Sequence, residues 1–175
     1  VNTVIVVSGA LLLTMLLSTM AAYVLARYEF RGNRFLFYLF ASGLMFPVFL
    51  AVVPLFFVVR NLGLLHTHLG LILVYTAYAL PFSVFFLTAF FRTLPNAVAE
   101  AALIDGCSHA GVFFRVMLPM ARPGIVSVAL FNFLSMWNQY LLPLVLNQNN
   151  ESTAVLTEGL AMLQAQQGYD ADWSA

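Results

Sequence analysis

The chain has 175 residues, 62% of them hydrophobic and only 8% charged, with basic and acidic side chains in balance. An ordinary soluble domain is about 25% charged, so this sequence has too little polar surface for water, and its mean hydropathy of +0.93 points to lipid as the solvent. The lack of a basic surplus argues against nucleic acid, and the single Cys107 excludes an internal disulfide or a cysteine-based metal cluster.

Four apolar runs follow one another, and each is long enough to cross a hydrocarbon core of about 30 Å as a helix. The first, over 4–26, holds no charge. Ser18, Ala22 and Ala26 recur every four residues along it. Such a stripe suits close helix approach, although small residues are common in any span. Arg27, Glu29, Arg31, Gly32 and Arg34 then form a charged hinge. The second run, over 35–59, contains Pro47 and Pro54, which predict a kink or local unwinding. His66 and His68 lie in the loop that follows. With no carboxylate or cysteine beside them, they read as surface loop residues rather than metal ligands.

The third run, over 69–91, carries Pro81 at its middle, with Tyr75 and Tyr78 in its first half. The fourth, over 124–146, carries Asn132, Trp137, Asn138 and Gln139. Amides at membrane depth need partners or water. Tyr75, Tyr78, Asn132 and Asn138 are therefore candidates to line a solute path, with helix-to-helix hydrogen bonding as the competing role for the amides. Residues 147–172 are polar and acidic, with enough Ala and Leu over 153–166 for a short surface helix. The chain starts without Met and ends just after Asp172 and Trp173, so it is expected to be a piece of a longer protein.

Arginine marks the cytoplasmic side of short membrane loops. Arg27, Arg31 and Arg34 lie between the first two runs, and Arg92, Arg115 and Arg122 between the last two. Two spans separate these loops, so they share a side, and only Arg60 lies opposite. The predicted topology therefore puts the 95–123 loop in the cytoplasm and the 147–172 loop outside.

That loop predicts two short helices joined at a bend. Pro95 suits a helix start, and Glu100 suits the positive end of the helix. Gly106 predicts a break beside Asp105. Residues 110–117 resume an apolar helical pattern, and Pro119 and Pro123 shape the return to the membrane. A catalytic site is not expected. Glu100 and Asp105 are five apart and do not share a helix face, Cys107 and His109 are two apart, and the zinc, P-loop and serine-elbow motifs are missing. No metal or cofactor is expected either.

Glu100-Ala101-Ala102, then Asp105-Gly106, then Leu118-Pro119 resemble the EAA loop of bacterial ABC importer permeases. Leu25-Ala26-Arg27, Phe30-Arg31-Gly32, Pro54-Leu55-Phe56, Leu69-Gly70-Leu71-Ile72, Phe90-Phe91-Arg92-Thr93-Leu94-Pro95, Trp137-Asn138 and Pro143-Leu144 extend the likeness over essentially the whole chain. It is to the binding-protein-dependent, MalG-like permeases of carbohydrate uptake. The resemblance implies an all-α polytopic membrane bundle of the type I importer kind, with four of an expected six spans here. It implies that Glu100, Ala101, Ala102, Asp105, Gly106, Leu118 and Pro119 couple to an ATPase. Further implied partners are two cytoplasmic ABC ATPase subunits, a second, different permease subunit, an extracytoplasmic solute-binding protein and the bilayer. The expected setting is the bacterial inner membrane. The function expected is import of a sugar or sugar-like solute, against a permease for a polyol or glycerol phosphate, or a non-transporting scaffold. Cys107 stands where these proteins commonly carry Ala.

Overall fold

The computed structural model describes residues 1–147, 153, 155–157 and 159–160. Most of the 147–172 loop, the helix expected over 153–166 and the Asp172-Trp173 pair lie outside the described residues. Nine α-helices and one π-helical turn are present among the described residues, and no strand. Helices α1 (Asn2–Arg27) and α4 (His68–Thr93) are each long and apolar enough to cross a membrane. They cover the first and third predicted runs. Two bent pairs, Asn33–Gly43 with Val48–Asn61 and His109–Met120 with Arg122–Trp137, raise the total to four if each is one span; the second pair draws on residues of the predicted 95–123 loop.

The second predicted run is two helices, α2 (Asn33–Gly43) and α3 (Val48–Asn61). The break falls at Pro47, which has extended backbone and opens α3, whereas Pro54 is carried inside α3. Pro81 is likewise carried inside α4. The fourth predicted run also divides, into α8 (Arg122–Trp137) and α9 (Leu141–Asn147). Pro143 accounts for that interruption, since it has no N–H to give the Gln139 carbonyl, and the Asn138 side-chain amide lies beside the break, donating to the Leu134 carbonyl at 2.7 Å.

The chain forms two compact units. One comprises Val1–Ala10, Pro47–Tyr75 and Leu134–Ala175, and the other Leu11–Phe46 and Thr76–Phe133. In the first unit α3 packs on α9. His66 holds that pair together: its Nδ1 lies 2.7 Å from the Asn147 carbonyl and its backbone N–H points at Leu146 O. A carbonyl only accepts, so Nδ1 carries the proton. His66 takes a left-handed backbone with φ 59° to do this, a conformation that a non-glycine residue adopts only when surroundings impose it. It is thus a helix-end cap rather than a bare loop residue. The first glycine after α3, Gly63 (φ 69°), donates to Arg60 O while Leu64 N–H reaches Val59 O, a Schellman ending.

The second unit has one apolar core, formed by Ala22 and Tyr23 of α1, Leu87 and Phe91 of α4, Val112, Phe113, Met117 and Ala121 of the 95–123 loop, and Val128 of α8. The small stripe of α1 faces inward: Ser18 and Ala22 are fully buried. Two glycines permit further close contacts. A Cβ on Gly124 would lie 2.5 Å from the Phe90 ring, and one on Gly43 would lie 2.8 Å from Pro81 Cγ. Lipid offers no hydrophobic drive between helices, so such close packing supplies much of the cohesion. Gly124→Val is expected to destabilise the protein by about 1–3 kcal/mol, read as a lowered unfolding temperature in detergent, with Gly159→Val, whose Cβ meets nothing within 4 Å, as the neutral control.

Candidate functional site

The start of the 95–123 loop is held from Arg27, the last residue of α1. Its Nη2 donates to the Leu94 carbonyl at 2.7 Å and its Nη1 to the Asn96 side-chain oxygen. Leu94 follows the end of α4, and Asn96 opens α5 (Asn96–Ile104) behind Pro95, which has extended backbone. A single guanidinium therefore joins the end of α1 to the turn between α4 and α5. Asn33 completes the corner, donating to Leu25 O at 3.2 Å and Tyr28 O at 2.6 Å. These are carbonyls that a helix end leaves without intrahelical partners.

At its other end α5 closes on Gly106, where φ is 86°. Gly106 N–H donates to Leu103 O, and Cys107 N–H to Ala102 O, the paired bonds of a Schellman motif. Nothing lies within 4 Å of a Cβ built on Gly106, so conformation alone requires glycine there. Between these two fixed ends α5 presents distinct faces. Ala99 and Ala102 pack on the core, while Asn96, Glu100 and Leu103 line a groove of about 920 Å³. Ala101, Ile104 and Asp105 are exposed, and Ile104 is 86% accessible.

The second half of the loop starts at Ser108, whose hydroxyl accepts from Gly111 N–H at 3.1 Å and caps α6 (His109–Val112). A π-helical turn, Phe113–Met117, and then α7 (Leu118–Met120) continue the run. Pro119 explains the widened turn. It has no N–H to give the Arg115 carbonyl, and its ring would clash with that group. Leu118 N–H instead bonds Phe113 O, five residues back. The run then bends by 72° into α8. Its inner side is aromatic: Tyr23 lies 4.8 Å from Phe113 and 5.7 Å from Phe91 between ring centroids. Tyr28 lies edge-on to His109, with its hydroxyl 3.1 Å from Nδ1.

The predicted coupling residues thus divide. Ala101, Asp105 and Gly106 are exposed, Glu100 is exposed at the rim of the groove, and Ala102 and Leu118 pack on the core. Pro119 is half-buried beside the π turn. Arg27, Tyr28, Asn33 and Ser108 build the site but were not among the residues expected to. In the sequence Arg27 and Arg34 marked the hinge and the topology, and Arg27 a family motif, without a place in the site. The Ser108–Gly111 spacing is a readable helix-start signal.

The sequence matches the family described as binding-protein-dependent transport system inner membrane component over residues 10–175. The chain belongs to this family. A relative is the diacetylchitobiose uptake system permease protein NgcG of Streptomyces coelicolor, 59% identical over 174 residues, which are 99% of this chain and 57% of that protein. The trehalose transport system permease protein SugB of Mycobacterium tuberculosis is 42% identical over 134 residues, 77% of this chain and 49% of that one. Among solved structures, a chain from a bacterial ABC transporter involved in the import of the acidic polysaccharide alginate superimposes with a TM-score of 0.75 at 22% identity, covering 94% of this chain and 62% of that chain. The fold is accordingly that of an ABC importer permease of type I, all-α and built for the membrane. The chain spans less than two thirds of the length of each of these three proteins.

In this family member the four residues named as solute-path candidates have different surroundings. Asn132 is 4% exposed, and its amide donates to Ser83 Oγ at 2.7 Å, with Ser83 in turn donating to Ala79 O. It therefore makes the helix-to-helix bond that competed with the path role. Tyr75 is also buried, at 4% exposure. Tyr78 and Asn138 are exposed. Among the described residues no cluster of three His, Cys, Asp or Glu could hold a metal.

Arg27→Ala is expected to cost about 1–3 kcal/mol, because the Leu94 carbonyl and the Asn96 amide both lose a charged partner. Arg27→Lys should recover only part of this, since a single ammonium cannot span both acceptors in the same planar fork. Thermal unfolding of the purified protein measures both. Gly106→Ala should cost about 1–2 kcal/mol through the left-handed backbone alone.

Proposed function

We propose that the chain is the membrane-spanning part of an ATP-driven importer for an oligosaccharide or similar solute, and that α5 is where an ATPase subunit docks. The observation that carries this is Ile104, a large apolar side chain 86% exposed at the end of a short helix whose two ends are both fixed. A side chain of that kind costs little to leave in a partner's groove and much to leave in water. Asp105 and Ala101 flank it on the same exposed side.

In this reading the 95–123 loop is cytoplasmic, as the arginine distribution favours. Two ATPase subunits hydrolyse ATP, and this chain contributes no catalytic group. A second permease subunit completes the pathway, and an extracytoplasmic binding protein delivers the solute. The roles named for the relatives, diacetylchitobiose uptake and trehalose transport, support a carbohydrate. Tyr78 and Asn138 are the better-placed of the candidate path residues, since both are exposed.

The mechanics follow from packing. When the ATPase pair closes, α5 moves with it. Through Arg27 it pulls the end of α1, and through the run 109–120 it presses Phe113 and Met117 against Tyr23, Leu87 and Phe91. The ends of α1 and α4 then shift together as one packed body. ATP binding thereby biases the permease between two arrangements, which is the thermodynamic content of coupling.

Ile104→Asp is expected to weaken association with the ATPase subunits at least about tenfold, on the scale of a hot-spot residue, measured by co-purification and by titration of ATPase onto reconstituted permease. Unchanged association, with solute-stimulated ATP hydrolysis intact, would exclude α5 as the docking element. A Glu100→Ala, Gly106→Ala double variant should keep partial docking yet lower solute-stimulated hydrolysis, because the helix end that transmits the motion is loosened.

A further inference from the structure

The groove beside α5 has two apolar neighbours that its ATPase-facing role does not use. Arg27, Arg34 and Arg92 line it together with Tyr28 and Asn33. These arginines stand at the ends of α1, α2 and α4, where apolar helix gives way to charge. Three guanidinium groups there face two carboxylates, Glu29 and Glu100, leaving a net positive site. No ion pair neutralises them among the described residues. Arg34 has no partner there, and Arg92 rests on the Phe37 ring at 5.0 Å.

Along α1 the groove continues into two apolar grooves. One, of about 480 Å³, shares Tyr23, Tyr28 and His109 with it and runs on over Met20, Val24 and Phe113. The other, of about 310 Å³, shares Leu25 and Phe30 and runs on over Met20, Val24, Leu36 and Phe40. Met20 and Val24 line both. The result is one cationic chamber at a helix end with two apolar channels leading from it toward the middle of α1.

We propose that this is a phospholipid site: an acidic headgroup phosphate sits against Arg34 and Arg92, and the two acyl chains lie in the apolar grooves on either side of the Met20 and Val24 ridge. Guanidinium groups suit phosphate geometry, and a headgroup at the end of an apolar helix is at its natural depth. The two-branched apolar extension favours a diacyl lipid over a free phosphate, which would use the chamber alone. The exposed face of α5 with Ile104 is separate from its groove face with Glu100, so lipid and ATPase can be present together. The inference rests on the membrane location of the chain and not on the coupling role of α5.

The test uses the assembled transporter, permease pair with ATPase subunits, in nanodiscs of phosphatidylcholine doped with phosphatidylglycerol. Lipid retained by the complex is counted by native mass spectrometry. Phosphatidylglycerol should be retained over phosphatidylcholine by at least about fivefold, the scale of surface arginine–lipid attraction. Arg34→Gln with Arg92→Gln should abolish that preference, Val24→Trp should lower retention of both lipids, and glycerol 3-phosphate should not displace the bound lipid. Equal retention of the two lipids, a preference that survives the double variant, or displacement by glycerol 3-phosphate would overturn the proposal. So would phosphatidylglycerol binding that disappears whenever the ATPase subunits are bound, which would make the groove part of a protein interface. Should the double variant fail to fold, photoactivatable phosphatidylglycerol on the wild-type complex decides: adducts within residues 20–40 or 92–114 support the site, and adducts confined elsewhere overturn it.

Discussion

A guanidinium cannot shed its charge, so at the end of an apolar helix it must find acceptors. Arg27 finds them at a gap that another residue creates. Pro95 keeps Leu94 out of the helical region and ends the ladder there, which frees the Leu94 carbonyl. The charge that needs acceptors and the carbonyl that needs a donor meet, and the Asn96 side chain adds the second acceptor. The position of α5 depends on this meeting. The rest of the loop is joined to its unit by the core contacts of Val112, Phe113, Met117 and Ala121 and by the Tyr28–His109 contact.

Around that anchor, the second unit is held by shape. The fully buried Ser18 and Ala22 give α1 a flat side, and Gly124 admits the Phe90 ring. The deep Asn132 amide is paired inside: Asn132 meets Ser83, and Ser83 meets Ala79 O. An amide left open there would have to hold water or a solute in a medium that supplies neither.

Much of this was legible beforehand, and the reasons are local. Hydropathy located α1 and α4 because each is an unbroken run. Gly106 announced the bend because only glycine takes that backbone cheaply, and Pro95 marked the start of the helix before it, whereas Glu100 falls in mid-helix rather than in the first turn. The second and fourth runs were harder. Pro47 signalled a disturbance, yet Pro54 and Pro81 are chemically alike and break nothing; neighbouring packing decides which proline interrupts a helix, and packing is not local. The split at 138–140 falls just before Pro143, a proline the reading of the fourth run did not weigh. The roles of Arg27, Tyr28 and His66 were hidden for a different reason. Their partners lie 67, 81 and 81 residues away along the chain, beyond anything periodicity can report. The solute-path candidates illustrate the same limit: four polar residues look equivalent in sequence, and burial separates Asn132 and Tyr75 from Tyr78 and Asn138.

The π turn at Phe113–Met117 has a consequence for how sequences of this kind can be compared. A π turn holds one residue more than the α turn it replaces, and each residue of an α-helix turns the chain by about 100°. If a relative ran straight α-helix between its equivalents of Ser108 and Pro119, it would need to be one residue shorter to keep Val112 and Ala121 on the same inward side. A one-residue gap in an alignment at this point would therefore record a change of helix type with the contacts preserved, whereas an ungapped alignment there with the proline replaced would mean that the inward residues had changed places.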